Sequence, residues 1–148
     1  MTGTTQYFLD TNVLLAYIRA GHLGQFIEKK YNLQALPFKP LICAVTIGEI
    51  KAIAAGRAWG EAKIKLMEQV FAKVVKIEIG DPEVTDAYAL AKNALPNGIG
   101  IPQNDLWIAA ATIAAQARLL TTDKHFDYLA EQGKITREWI DPKFGRPT

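Results

Sequence analysis

The sequence predicts an α/β fold, a three-layer α/β/α sandwich around a central, mostly parallel β-sheet. Short apolar runs rich in β-branched residues recur along the chain, and segments of helical periodicity separate them. Strands that alternate with helices pair in parallel, because the crossover helices cover both faces of the sheet. With 148 residues, of which 49% are apolar and 22% charged, the chain is expected to form a single domain over residues 1–148.

The first half of the chain is predicted to hold two buried strands and four helices. The strands cover 7–9 and 41–45, and the helices cover 13–20, 22–31, 46–55 and 58–72. Pro37 and Pro40 break the helical pattern before the second strand, which is apolar throughout. Gly21 ends the first helix, and Thr46 is of a residue type that caps helix N-termini.

The second half is predicted to continue the alternation. Strands are predicted at 74–79, 119–122 and 138–140, and helices at 83–94, 105–117 and 127–132. Asp81 followed by Pro82 has the order of an N-cap and a first helical residue. Asn104 is predicted to cap the next helix, after a loop at 95–102 that is rich in glycine and proline.

Four acidic residues are predicted to meet at one rim of this sheet. Asp10 and Asp123 each follow directly after a predicted strand. Glu49 and Asp105 each lie in the first turn of a predicted helix. Ligands of parallel sheets bind beyond the carboxyl ends of the strands, where the following helices begin. The four side chains are therefore expected to face one pocket, although they are scattered along the sequence.

Such a cluster of carboxylates would need a cation. Two carboxylates about 5 Å apart repel by roughly 3 kcal/mol at an effective dielectric constant near 20. Four of them stay ionised in one pocket only beside a cation, or else their pKa values shift strongly. Carboxylate oxygens suit Mg²⁺ or Mn²⁺, whereas zinc usually takes histidine or cysteine. Sites of this kind orient water and neutralise the charge of a phosphodiester during its hydrolysis.

Each acid also has an ordinary structural explanation. Thr46 and Glu49 have the spacing of a capping box. Asp105 suits the dipole of a first helical turn, and Asp123 is a common turn residue. Asp10 is harder to explain in this way, because an acid at the end of a buried strand is desolvated unless something pairs with it. The predicted convergence, rather than any single residue, favours a metal site.

Charge and composition narrow the class of protein further. Subtracting the four clustered acids from the total of 15 leaves 11 acidic residues against 17 basic ones, which favours a phosphate-bearing partner such as RNA. The lone Cys43 excludes an internal disulfide and a thiolate metal site. No apolar run approaches the about 18 residues that span a membrane, and no signal segment is visible. We therefore expect a cytoplasmic protein that does not bind membranes.

Several sequence blocks resemble those of PIN-domain nucleases. The segment 8–12 (FLDTN) resembles the opening of that family, and Glu49 follows the second strand as in the family pattern. The segments 104–110 (NDLWIAA) and 120–126 (LTTDKHF) resemble its later blocks in order and spacing. The likeness extends from about Tyr7 to Ile140 and is greatest to the VapC toxins of type II toxin–antitoxin pairs.

This resemblance implies a Mg²⁺- or Mn²⁺-dependent endoribonuclease, in which metal-activated water attacks an RNA phosphodiester and leaves 5′-phosphate and 3′-hydroxyl ends. The residues that match the family's catalytic and metal-binding acids are Asp10, Glu49, Asp105 and Asp123. The residues that match supporting polar positions are Thr11, Asn12 and Thr121, of which Asn12 and Thr121 are expected to orient the acids or a bound water. The resemblance also implies a homodimer and a cognate antitoxin that blocks the catalytic groove.

Two other functions compete with this hypothesis. An aspartate after the first strand also opens the haloacid-dehalogenase phosphatases, where it is a nucleophile. Those enzymes need a second acid two residues later, and this chain has Asn12 there. The second alternative is a degenerate PIN-fold module that binds RNA or protein without cutting. Keeping all four acids argues against it, because binding alone does not require a costly carboxylate cluster.

The remaining polar and aromatic candidates are interpreted as structural. His125 is interpreted as a histidine of a surface loop, and Asp127 as the cap of the short helix at 127–132. Trp107 is interpreted as a core or dimer contact residue. Lys51 and Arg57 fit a solvated helix face and a contact to RNA or antitoxin equally well.

Overall fold

A single parallel sheet forms the centre of the computed structural model, which describes residues 5–145. Its strands are β1 (Tyr7–Leu9), β2 (Leu41–Cys43), β3 (Val75–Ile77), β4 (Arg118–Thr121) and β5 (Thr136–Trp139). They lie in the order β3-β2-β1-β4-β5, and every neighbouring pair is parallel. The central strands β1 and β4 are neighbours in the sheet although more than a hundred residues separate them in sequence.

Helices cover both faces of this sheet. They are α1 (Thr11–Arg19), α2 (His22–Tyr31), α3 (Ala44–Gly56), α4 (Glu61–Phe71), α5 (Pro82–Ala94), α6 (Gln103–Ala115) and α7 (Asp127–Glu131). Short 3₁₀ helices lie at Leu33–Ala35 and Pro142–Gly145. Within the described residues, none of the helices reaches the length and apolar character that crossing a membrane requires.

Neighbouring residues of the strands face opposite helical layers, which produces two separate apolar cores. Phe8 and Leu119 pack with α5, α6 and α7, where three consecutive buried alanines at 109–111 bring α6 close to the sheet. Leu9 and Leu120 pack with α1, α2, α3 and α4. The side-chain alternation of strands buried on both faces accounts for this division. The predicted three-layer α/β/α sandwich is therefore confirmed.

The predicted boundaries are wrong at the two helices that carry acids. β2 ends at Cys43 and α3 begins at Ala44, because only residues 41–43 pair with β3 and Val45 packs against a core from the helix. Thr46 is consequently not an N-cap. α6 begins at Gln103, and the carbonyl of Pro102 accepts the Leu106 N–H at 3.0 Å. Pro102, and not Asn104, therefore occupies the N-cap position of α6.

The contact between α1 and α2 depends on a residue without a side chain. A Cβ atom placed on the buried Gly24 would lie 2.5 Å from the carbonyl oxygen of Ala16, a backbone atom that can move only with its helix. We expect Gly24→Ala to lower the free energy of unfolding by about 1–3 kcal/mol, measured by urea denaturation. The matched control is Gly48→Ala on α3, where a Cβ meets nothing within 4 Å and alanine should stabilise the helix. Equal effects of the two substitutions would contradict this prediction.

Candidate active site

The four predicted acids line one cleft at the carboxyl ends of β1 and β4. This acidic cleft has a volume of about 430 Å³ and contains Asp10, Glu49, Asp105 and Asp123 together with Thr11, Asn12 and His125. The elements that carry the acids explain their convergence, since α1 and the 122–126 loop directly follow the two central strands. The predicted convergence of the four side chains is thus present in the structure.

Asp10 is the deepest of the four acids, with 3% of its surface exposed. Its Oδ1 accepts the Thr11 N–H at 2.8 Å, so that Asp10 caps α1, and its Oδ2 accepts the Thr121 hydroxyl at 2.6 Å. Burial raises the pKa of Asp10 from 3.8 to about 6, and the charges of Asp105 and Asp123 add to the rise while both hydrogen bonds oppose it. A cation in the cleft would favour the ionised form of this carboxyl.

Glu49 is held by a threonine of another helix. The Thr11 hydroxyl donates to Glu49 Oε1 at 2.6 Å, and the buried Thr46 hydroxyl lies 2.9 Å from the same Thr11 oxygen. Because Thr11 uses its proton toward Glu49, Thr46 donates to Thr11. The capping-box explanation of Thr46 and Glu49 is therefore wrong, since Thr46 is the third residue of α3 and its hydroxyl contacts Thr11. Thr11 thus positions Glu49, and Thr46 positions Thr11.

Thr121 links the two acids that follow the central strands. Its hydroxyl donates to Asp10 Oδ2 and accepts the backbone N–H of Asp123 at 2.9 Å. Thr121 and Asp10 are both buried, so water does not substitute for this hydroxyl at the Asp10 carboxyl. One hydroxyl thus orients the Asp10 carboxyl and sets the start of the loop that carries Asp123.

Removing that hydroxyl should weaken both the fold and the site. We expect Thr121→Val to lower the free energy of unfolding by about 1–3 kcal/mol, because the buried Asp10 carboxyl and the partly buried Asp123 N–H lose their partner. Divalent-ion affinity, measured by titration calorimetry, should fall about tenfold or more. Thr121→Ser keeps the hydroxyl and should restore most of the ion affinity. Equal ion affinity in the valine and serine variants would show that the hydroxyl has no part in the site.

Asp105 and Asp123 share a histidine. Asp105 Oδ2 lies 2.6 Å from His125 Nδ1, and Asp123 Oδ1 lies 3.1 Å from that nitrogen while accepting the His125 backbone N–H at 3.1 Å. Burial raises the pKa of Asp105 even though His125 opposes the rise. The hydrogen bond that Asp105 Oδ2 accepts from the imidazole raises the pKa of His125. His125 thus lies in the acidic cleft, and only its position two residues after Asp123 could have indicated this.

The other candidates lie elsewhere or make weaker contacts. Asn12 is exposed and lines the cleft, but within residues 5–145 its amide does not hydrogen-bond to the four carboxylates. Asp127 is the first residue of α7 and pairs with Arg137 at 2.7 Å, so its interpretation as an N-cap is wrong. Trp107 stacks on Tyr88 with the ring centroids 4.0 Å apart and packs against the core, as interpreted from the sequence.

The donor set of the acidic cleft fits a divalent cation. Four carboxylates converge there, supported by threonine hydroxyls and faced by one imidazole. Oxygen-rich sets of this kind bind Mg²⁺ or Mn²⁺. The compact group of Asp105, Asp123 and His125 has its three donor atoms within 4.8 Å of one another. These residues, with Asp10 and Glu49, are the ones that would hold an ion.

A second, basic cleft adjoins the acidic cleft and shares Asn12 and Asp123 with it. It has a volume of about 760 Å³, and Arg19, Lys124 and Trp139 lie in its wall. The Trp139 indole donates to the Thr122 carbonyl at 3.1 Å, which fixes the ring, and Lys124 Nζ lies 4.8 Å from the ring centroid. Cations and an aromatic surface are therefore continuous with the carboxylates.

Comparisons with known proteins agree with this architecture. No curated protein sequence matches the chain significantly. Among solved structures, a chain of VapBC2 from Rickettsia felis bound to a DNA fragment from their promoter is 21% identical, with a TM-score of 0.77 over 93% of this chain and 100% of that one. A chain of VapBC-1 from nontypeable Haemophilus influenzae is 22% identical, with a TM-score of 0.75 over 91% and 98%. A chain of VapBC-5 from Mycobacterium tuberculosis, a toxin–antitoxin system, is 19% identical, with a TM-score of 0.66 over 93% and 100%.

These structural matches establish the fold, and a match to a family profile establishes the relationship. The profile of the PIN domain matches residues 7–132, a range that includes all four clustered acids. This match agrees with the order of the strands and with the position of the acids at the strand ends. The chain belongs to the PIN domain family.

Proposed function

We propose that this protein is a divalent-metal-dependent endoribonuclease and the toxin of a toxin–antitoxin pair. The observation that carries the proposal is the convergence of Asp10, Glu49, Asp105 and Asp123 in one cleft of a PIN fold. The desolvation of Asp10 supports a bound cation, since a protein that only bound a partner would gain nothing from this carboxylate. PIN domains are generally nucleases, which favours phosphodiester hydrolysis.

Residues of this chain would bind the ion and keep its carboxylate ligands in position. Asp10, Glu49, Asp105 and Asp123 would bind Mg²⁺ or Mn²⁺, and the ion would activate water and neutralise the charge of the RNA phosphodiester. Thr121 and the Thr11 backbone N–H fix the two oxygens of Asp10, and the Thr11 hydroxyl fixes Glu49. These hydrogen bonds preorganise the carboxylates before substrate arrives.

The proposed partners follow from the relatives and from the surface. The fold resembles chains of VapBC complexes, which supports a cognate antitoxin for this protein. The basic cleft next to the acids supports a polyanionic substrate, which we propose to be cytoplasmic RNA. We further propose that residues 1–148 form one domain and that two copies associate as a homodimer.

The decisive experiment is cleavage of a generic single-stranded RNA by the purified protein. We expect cleavage with Mg²⁺ or Mn²⁺, none after chelation with EDTA, and none by Asp105→Asn purified in the same way. The variant serves as the control for contaminating nucleases. RNA binding without cleavage by the wild-type protein, in the presence of either ion, would overturn the proposal and favour the degenerate binding module.

The basic cleft should bind the strand that flanks the cleaved bond. Within the described residues, neither Arg19 nor Lys124 forms a salt bridge, so both are available to phosphates. We expect Arg19→Gln and Lys124→Gln each to weaken RNA binding several-fold and to lower the salt dependence of log Kd by about one. Binding is measured by fluorescence anisotropy on an Asp10→Asn background. Lys92→Gln, on the exposed surface of α5, is the control, and an equal effect there would exclude a specific role of the cleft.

A further inference from the structure

The contact of His125 with two of the acids suggests a role in the metal site itself. We propose that His125 is a metal ligand through Nδ1, together with Asp105 and Asp123, and that this nitrogen makes the site bind Mn²⁺ in preference to Mg²⁺. The inference rests on the proposed function, because it concerns the ion of the same cleft. It adds a ligand of a different chemical kind to the four carboxylates.

The spacing of the three donor atoms supports a shared ion. His125 Nδ1 lies 2.6 Å from Asp105 Oδ2 and 3.1 Å from Asp123 Oδ1, and all three atoms are within 4.8 Å of one another. Neighbouring ligands of a six-coordinate ion with bonds of about 2.1 Å are roughly 3 Å apart. His125 Nδ1 is therefore about as far from each of the two carboxylate oxygens as neighbouring ligands of one ion are from each other.

The surrounding backbone holds the imidazole in this position. The His125 N–H donates to Asp123 Oδ1, and the next residue, Phe126, is fully buried and anchors the loop. The carbonyl of Lys124 accepts the Asp127 N–H at 3.1 Å, which closes the turn around the histidine. Fixing a ligand before the ion binds reduces the entropy cost of binding.

Access to the site is compatible with an ion that also carries water. The side chain of His125 is 47% exposed, and those of Asp105 and Asp123 are 15% and 27% exposed. One side of the three donors is thus open to solvent while the other faces the protein.

The nitrogen ligand determines which ion the site favours. Mg²⁺ strongly prefers oxygen ligands, whereas Mn²⁺ accepts imidazole as well as carboxylate. A site made only of Asp10, Glu49, Asp105 and Asp123 would discriminate little between the two ions. With His125 as a ligand, Mn²⁺ gains a bond that Mg²⁺ exploits poorly.

Pulsed electron paramagnetic resonance of the full chain with one equivalent of Mn²⁺ tests this directly. We expect echo modulation from a nitrogen bound to Mn²⁺, and we expect His125→Gln to abolish it. The sequence has two histidines, so His22→Gln is the matched control and should keep the signal. By calorimetry, His125→Gln should lower Mn²⁺ affinity about tenfold and change Mg²⁺ affinity much less. Circular dichroism and thermal unfolding verify that the variants fold.

The outcomes separate this inference from the proposed function. Absence of nitrogen modulation in the wild type, or its persistence in His125→Gln, would overturn the ligand assignment even if RNA is cleaved. Nitrogen modulation that His125→Gln removes would support the assignment even if no RNA is cleaved, and the proposed nuclease activity would then fail alone. Equal losses of Mn²⁺ and Mg²⁺ affinity in His125→Gln would overturn the selectivity for Mn²⁺.

Discussion

Asp10→Asn is expected to abolish RNA cleavage and at the same time to stabilise the metal-free protein. Burial raises the pKa of Asp10 from 3.8 to about 6, so that the ionised carboxyl destabilises the folded state by about 3 kcal/mol above pH 6. Asparagine removes this charge, and its carbonyl can still accept the Thr11 N–H while its amide donates to Thr121. Cleavage and urea denaturation at pH 7.5 in EDTA measure the two effects.

The raised pKa of Asp10 also predicts the direction in which the stability of the metal-free protein changes with pH. The unfolded chain releases the Asp10 proton near pH 3.8 and the folded protein near pH 6, so the folded state binds more protons between these values. Stability of the metal-free protein should therefore fall as the pH rises through this window. Asp10→Asn should flatten the fall and leave a remainder from Asp105, whose pKa burial also raises. An asparagine variant that is less stable than the wild type in EDTA at pH 7.5 would contradict the prediction.

Divalent ions should raise the thermal midpoint of the wild type substantially. An ion that binds only the folded state at one hundred times its dissociation constant contributes about 2.7 kcal/mol. For a domain of this size that corresponds to a rise of roughly 8 °C. The rise should be greater at pH 7.5 than at pH 5, because protons compete with the ion for Asp10 and Asp105. Differential scanning fluorimetry with and without MnCl₂ measures it.

One variant inside the acidic cleft and one outside it test where the ion binds. Asp105→Asn should lose most of the rise, because it removes an ionised ligand from the group with Asp123 and His125. Asp86→Asn removes a carboxylate from the exposed surface of α5 and should keep the full rise. The same rise in Asp105→Asn as in the wild type would locate the bound ion outside the acidic cleft.

Local sequence patterns predicted much of the fold. The strand at 7–9 and the helix at 22–31 have the predicted bounds, because an apolar run defines the strand and a helical repeat defines the helix. The start of α3 was not predictable in this way. Val45 has the residue type of a strand, but β3 offers partners only to residues 41–43, and this length is a property of another part of the chain.

The acids of the site were predictable as a group, whereas their supports were not. Strand ends and helix starts locate Asp10, Glu49, Asp105 and Asp123 without knowledge of side-chain contacts. The hydrogen bonds that hold them join residues far apart, since 38 positions separate Thr11 from Glu49 and 111 separate Asp10 from Thr121. His125 lies on a surface loop as the sequence predicts, but its contact with Asp105 was not predictable because Asp105 lies on a different element.

The hydrogen bond from Thr121 to Asp10 also bears on when the acidic cleft can form during synthesis of the chain. Asp10 is synthesised more than a hundred residues before Thr121, which supports it, and before Asp123, the last of the four acids. A nascent or prematurely released chain that lacks β4 has neither the central sheet neighbour of β1 nor the complete set of acids. A chain that ends before β4 therefore cannot assemble the cleft that we propose to cleave RNA.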